Sequence, residues 1–413
     1  MKKPVYLDYH ATTPVDPRVL DAMLPYFTER FGNAASRQHA FGWEAQKAVD
    51  TAREQVATLI GASGNEIVFT SGASESNNLA IKGAAHALRE RGNHIITVVT
   101  EHKSVLDSCK RLESEGWRVT WLGVDGDGLI DLDQLRAAID ARTVLVSIMA
   151  ANNEIGVIQP LAAIGAIARQ HGALFHTDAA QAAGKIPIDV AGMQIDLLSL
   201  TGHKYYGPKG AGALYVRRCR PRLQLACQID GGGHENGFRS GTLNVPGIVG
   251  LGEAAEICRT EMAAEAARLS ALRDRLLASL QRDLQGVRVN GALGDRRLPH
   301  NLHVSLAGVD GDALLMALGD LAVSTGSACS SGSQAPSHVL QAIGAVGPTS
   351  PGAPALRQAQ GRPELGQGAA GQEPSASIRF GLGRTTTEAD VDFAAARVAT
   401  VVRSLRAAHH VAR

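Results

Sequence analysis

Several things are missing from this sequence, and each absence removes a class of function. No apolar run approaches the roughly 18 residues of a membrane-spanning helix, so no role inside a membrane is expected. Neither sign of charge is in excess. The 41 Lys and Arg stand against 40 Asp and Glu, a formal net charge of +1. Neither nucleic acid nor a membrane surface is therefore expected as the main partner. Cysteines number five, at 109, 219, 227, 258 and 329, with no CxxC pair and no zinc-ligand spacing. An odd, scattered set suits a reducing cytoplasm, with most of these residues serving as packing. The phosphate-loop pattern GxxxxGK(S/T) is absent, and no GxGxxG stands at a strand-to-helix turn. The opening stretch MKKPVYLDYH has two lysines but no apolar segment, so no signal peptide is expected.

What remains is an ordinary globular composition, 45% hydrophobic and 20% charged, on 413 residues. That length suffices for two domains and a substantial core. Through the first two-thirds, short apolar runs alternate with helical patterns. The runs are EIVFT (66–70), HIITVV (94–99), TVLVSIM (143–149), ALFHTD (173–178), IDLLSL (195–200) and GALYVR (212–217). This rhythm implies βαβ units and an α/β fold with a mostly parallel sheet. Strands that are apolar throughout fit a sheet covered on both faces. From about residue 244 a long helical stretch leads out of this unit. The segments after it, NLHVSL, GDALLMALGD, LAVST, SHVLQAIG, SASIRFGLGR and a last helix from Glu388, read as a smaller α+β domain. Residues 344–374 are rich in Gly, Pro, Ala and Gln with few large apolar residues, and are expected to be a disordered surface insertion.

Three turns carry candidate chemistry. In IVFTSGASESNNLAIKG a strand ends at Thr70 and a helix begins near Ser74, with Ser74 as the expected N-cap. A helix N-terminus with nearby hydroxyls can hold an anion. In LFHTDAAQAAG, Asp178 closes a strand, and Gln181 follows three residues later. In LSLTGHKYYGPKGAGALYV, Lys204 follows a strand within the turn Thr201-Gly202-His203. Ligands in open α/β sheets sit at such carboxyl ends. Each turn alone has a plain structural reading: a cap, a cap and a surface lysine. Together they fit pyridoxal 5'-phosphate. That cofactor needs a lysine to tether it, a carboxylate beside the pyridine nitrogen and a cradle for its phosphate. His102, after another apolar strand, is placed to stack on the ring. Cys329 sits in STGSACSSGS, a stretch too small and polar to bury, where a reactive thiol makes more sense than a packing one.

The chain resembles the cysteine desulfurases, the NifS/IscS-like branch of the class V aminotransferase family. The resemblance rests on YLDYHATTPVDPRV, FGNAASRQHAFGWEAQ, FTSGASESNNLAIKG, TEHKSVLD, NNEIGVIQP, HTDAAQAAGKIPIDV, DLLSLTGHKYYGPKGAGALYVR, GGGHENGFRSGTLNVPGIVG, STGSACSSGSQAPSHVL and SIRFGLGRTTT, from residue 5 to about 387. It implies a fold-type I enzyme. Its large cofactor-binding domain would span 16–255, with a seven-stranded sheet. Its small domain would combine 1–15 with 256–413 and carry the cysteine loop 324–333. The segment 344–374 stands where the family has a short connection.

Roles carried over by this resemblance are as follows. Lys204 tethers the cofactor, Asp178 pairs with the ring nitrogen, Gln181 bonds the phenolic oxygen and His102 stacks on the ring. Ala73, Ser74, Thr201 and His203 bind the phosphate, and Thr242 reaches the phosphate of the other subunit of a homodimer. Asn153 lines the cofactor site and, with Arg379, grips the substrate carboxylate. Lys204 takes the Cα proton of L-cysteine. Cys329, ionised with help from His102, attacks the substrate sulfur, giving L-alanine and a persulfide. The resemblance implies no resident metal, with Cys329 at most a transient ligand of a transferred iron–sulfur cluster. The acceptor is an iron–sulfur scaffold protein or another sulfur acceptor, including one for tRNA thiolation, in the cytoplasm. Rival readings are a selenocysteine lyase or other class V enzyme, and an inactive binding partner.

Overall fold

The computed structural model describes residues 3–218, 220, 222–325, 337–346 and 375–411. Cys219, Cys329 and all of the 344–374 segment beyond Val346 lie outside these. The strands are β1 (Val5–Tyr6), β2 (Ile67–Thr70), β3 (His94–Val98), β4 (Arg118–Leu122), β5 (Thr143–Ser147), β6 (Leu174–Asp178), β7 (Leu197–Thr201), β8 (Gly212–Val216), β9 (Val287–Val289), β10 (Asn301–Ala307), β11 (Leu321–Ala322) and β12 (Ser375–Gly381). The helices are α1 (Pro17–Met23), α2 (Pro25–Thr28), α3 (Ala40–Leu59), α4 (Ala73–Ala87), α5 (Lys103–Ser114), α6 (Leu132–Ala138), α7 (Leu161–Gln170), α8 (Val245–Asp283), α9 (Gly311–Ala317), α10 (His338–Ala342) and α11 (Glu388–Val411).

The large sheet has seven strands in the order β2-β8-β7-β6-β5-β3-β4. Its pairs are parallel except those of β8, which runs antiparallel to β2 and β7. Strands β2, β3, β5, β7 and β8 are buried at every position, because helices cover both faces. Ile96, Val98, Leu198 and Leu200 pack in one core with side chains of α3, α7 and α8. Ile95, Leu145, Leu197 and Leu214 pack in another with α4 and α5. Each such aliphatic side chain contributes roughly 1.5–3 kcal/mol relative to exposure, which makes the strand ends firm mounting points. β4 was not among the six apolar runs. It is an edge strand, RVTWL, exposed at Arg118 and fully buried only at Leu122, so it lacks the apolar signature of its neighbours.

A three-stranded antiparallel sheet, β12-β10-β9, forms the second layer. Its core holds Leu302, Val304, Ile378, Phe380 and side chains of α11. The 39-residue α8 serves both cores: Ile248, Leu251 and Cys258 belong to the large one, and Leu269, Leu272, Leu276 and Leu280 to the small one. Leu7, next to β1, also joins the small core. None of the helices among the described residues is long and apolar enough to cross a membrane.

Candidate active site

The carboxyl ends of β2, β3, β5, β6 and β7 open onto a cavity of about 500 Å³. That is the size of an ordinary small-molecule site. Because β8 runs against β7, its first residues arrive at the same edge, and the loop before it brings Lys209 and Gly210 to the cavity.

One end of the cavity is the start of α4. Its cap is Gly72, at φ 157 and ψ 179, not Ser74 as expected. That backbone region is essentially restricted to glycine. Crowding adds a second constraint, since a Cβ on Gly212 would lie 2.5 Å from the Gly72 Cα. Ser74 is thereby moved inside the first turn and lines the cavity beside Ala73. Glu75, also in that turn, would repel an anion. It is engaged by Arg239 Nε at 2.9 Å and by the Ser71 N–H at 2.9 Å.

At the middle, Asp178 is buried. Its Oδ2 accepts from Asn77 Nδ2 at 2.7 Å and its Oδ1 from the Ala180 N–H at 2.9 Å. Asn77 also donates to Ser104 Oγ at 2.9 Å. Lys204 Nζ donates to the carbonyls of His10 and Ala11. Gln181 donates to the His10 carbonyl at 3.0 Å, and its Oε1 lies 3.0 Å from His10 Nδ1. His203 meets Thr12 Oγ1 at 3.2 Å. Burial first, then Lys204 and Lys209, push the His203 imidazole down to about 4, so it is neutral.

His102 caps α5: its Nδ1 accepts the Ser104 N–H at 3.2 Å and lies 2.8 Å from Ser104 Oγ. In the neutral ring the proton therefore sits on Nε2. The base role expected for His102 toward Cys329 concerns a residue outside those described. Just before it, Glu101 is buried with Oε1 on the Met149 N–H at 2.5 Å and Oε2 without a partner among the described residues. Burial, then the neighbouring Asp178 charge, raises its carboxyl well above the usual range.

The far end comes from the small sheet. Arg379, on β12, is 1% exposed yet reaches the cavity. Its Nη2 contacts Asp8 Oδ1 at 2.7 Å, and its Nη1 donates to the Asn153 carbonyl at 2.9 Å. Its Nε is buried with no acceptor among the described residues. Asp8 also accepts from Ser324 Oγ at 3.0 Å. A buried N–H of a charged group without an acceptor is costly.

Lys204, Asp178, Gln181, His102, Ala73, Ser74, Asn153, Thr201, His203 and Arg379 all line this one cavity. Thr242 does not; it is exposed and elsewhere on the chain. Cys329 lies outside the described residues. Sequence reasoning gave no role to His10, Thr12, Asn77, Glu101, Ser104 or Lys209. All except Asn77 and Glu101 line the cavity, and those two stand just behind it. His10 and Thr12 stand in YHATTP and Lys209 in GPKG, so local motifs flagged the stretches but not the contacts. The residues present fit pyridoxal phosphate: an amine at Lys204, a buried carboxylate at Asp178, the N-terminal turn of a helix at Ala73 and Ser74, and a guanidinium at Arg379.

Fold and cavity together define a fold-type I pyridoxal phosphate enzyme. The family model described as aminotransferase class-V matches residues 5–393. A protein named cysteine desulfurase IscS, from Anaeromyxobacter sp. (strain K), is 55% identical over 406 residues, covering 98% of this chain and 94% of its own. A solved NifS-like protein superimposes with a TM-score of 0.84 at 36% identity, over 97% of this chain and 100% of that one. The structure of SspA in complex with cysteine gives a TM-score of 0.72 at 42% identity, over 82% and 94% respectively. The chain belongs to the class-V aminotransferase family.

Proposed function

We propose that this protein is a cysteine desulfurase. It takes sulfur from L-cysteine, releases L-alanine and carries the sulfur as a persulfide on Cys329 to an acceptor that serves iron–sulfur cluster assembly. The observation that carries this reading is the meeting of Lys204, Asp178 and Arg379 in one cavity of a chain so similar to a cysteine desulfurase. The protein works as a cytoplasmic homodimer in this reading, with the exposed Thr242 serving the cavity of the other copy.

Bound pyridoxal phosphate supplies an electron sink conjugated to the substrate's Cα. Lys204 would tether it and, once released by the incoming amine, take the Cα proton at Nζ. Asp178, oriented by Asn77 and the Ala180 N–H, would keep a proton on the ring nitrogen. The N-terminal turn of α4, with Ala73 and Ser74, would hold the phosphate together with Thr201 and His203. His102 would stack on the ring, and Gln181 would donate to its phenolic oxygen. Asn153 and Arg379 would bind the substrate carboxylate. The Cys329 thiolate would attack the substrate Sγ. An S–S bond forms as the Cβ–S bond breaks, and the electron pair of that bond stays on Cβ, which gains a proton to become the methyl group of alanine.

The test is Cys329→Ala. Sulfide and persulfide formation from cysteine should vanish, while the visible absorbance of the bound cofactor remains. Mass spectrometry of the unmodified protein after cysteine treatment should find one added sulfur on Cys329. Normal turnover by the variant would sink the persulfide route. A protein that stays colourless with added pyridoxal phosphate would sink the enzyme class.

A further inference from the structure

Behind Gln181 lies a line of buried polar groups that the proposed chemistry does not use. It begins at Arg297, 3% exposed, whose Nη1 donates to Asn301 Oδ1 at 2.8 Å. A guanidinium only donates, so the acceptor atom of Asn301 must face it. Asn301 Nδ2 then points the other way. It lies 3.0 Å from His10 Nε2 and donates to the Glu154 carbonyl at 3.0 Å. A donor facing Nε2 makes that nitrogen the acceptor of the ring. The proton of neutral His10 must therefore sit on Nδ1, which faces Gln181 Oε1 at 3.0 Å. Gln181 Nε2 is left to donate to the His10 carbonyl at 3.0 Å, and its second N–H is the donor available to the cavity that Gln181 lines.

Every assignment is forced by its neighbour, and the line is anchored at both ends by groups of fixed polarity. Arg297 can only donate, and the His10 carbonyl can only accept. The ring of His10 is itself held by stacking on His300, with centroids 4.4 Å apart. Both rings are buried. Burial, His300, Arg379 and Lys204 all keep His10 in the neutral form that the line requires.

We propose that His10 is a positioning residue: it locks the Gln181 amide so that an N–H, and not the carbonyl oxygen, meets the phenolic oxygen of the cofactor. This rests on the proposed function. Turning the amide over would break two hydrogen bonds and set oxygen against oxygen at the His10 carbonyl. The same carbonyl accepts from Lys204, so the His10–Ala11 turn holds both Gln181 and Lys204.

The test uses the holoenzyme and reads the rate of cofactor loss on dialysis and the visible absorbance maximum. His10→Phe keeps a ring and removes the Nδ1 donor. Cofactor loss should quicken about tenfold, the scale of one oriented hydrogen bond, and the absorbance maximum should shift. His10→Asn places an amide N–H near the Nδ1 position and should return both readings to within about twofold of the original. In a Gln181→Ala background, His10→Phe should have no further effect, because its only route to the cofactor has gone. Should His10→Phe fail to fold, His10→Gln replaces it, since its amide reaches toward Asn301 and leaves no donor at Nδ1. Additive effects of the His10 and Gln181 changes, or equal effects of the Phe and Asn variants, would overturn the assignment. Absence of cofactor from the unmodified protein would instead overturn the function on which it rests.

Discussion

The cavity has two unlike walls. The near wall is made by strand ends of the large sheet, and each of its groups lies within four residues of an apolar run: Ala73 and Ser74 after β2, Asp178 and Gln181 at β6, Lys204 after β7. The far wall is Arg379, on a strand of another sheet, held by Asp8 from the N-terminal segment and by the Asn153 carbonyl. The near wall is built by local geometry repeated at each strand end. The far wall exists only because two sheets are packed together. In the proposed chemistry the near wall holds the cofactor and the far wall holds the substrate, so the two should fail in different ways.

The largest effect is expected on the near wall. Asp178→Asn keeps the shape but removes the charge that keeps the ring nitrogen protonated. Steady-state kinetics with cysteine should show kcat lower by about a hundredfold or more, with the cofactor still bound. A smaller and different loss is expected on the far wall. Arg379→Lys gives up the guanidinium fork that a carboxylate fits, so KM for cysteine should rise about tenfold while kcat changes less. If both variants lowered kcat alone, the division of labour between the walls would be wrong.

The smallest effect concerns Glu101, which stands behind the near wall. Its carboxyl is raised in the folded protein, so folding requires proton uptake once the unfolded carboxyl, near 4.5, is ionised. Such a group lowers stability as pH rises above that value, and has no such effect below it. Glu101→Gln removes this cost while leaving an oxygen for the Met149 N–H. Its melting temperature should match the original at pH 4 and exceed it at pH 8. A variant that melts lower at both pH values would mean that Glu101 is ionised in the folded state.

Much of the near wall was legible because its signals are short-ranged. An apolar run, a small turn and a polar residue within four positions announce a strand end. The six apolar runs all became strands for the same reason. β4 escaped because an edge strand need not be apolar on both faces. Ser74 was mistaken for the cap because side-chain preference favours serine, whereas the approach of Gly212 to Gly72 decided the turn. Asn77 gave no sign of its role, since its partner, Asp178, lies 101 residues away. For His10 the motif marked the stretch but not the contacts, since its partners are 171 and 291 residues distant.

By itself, the sequence determined that the apolar runs are strands, which turns follow them and which chemical groups those turns offer. Burial periodicity and residue type act over a few positions, and these suffice. Only the tertiary structure decided how the groups are paired and in what state. The tautomer of His10, the raised carboxyl of Glu101 and the unpaired N–H of Arg379 are all products of burial beside partners far away in the chain. Hydrogen-bond polarity and desolvation depend on neighbours in space, and those neighbours exist only once the two sheets have packed.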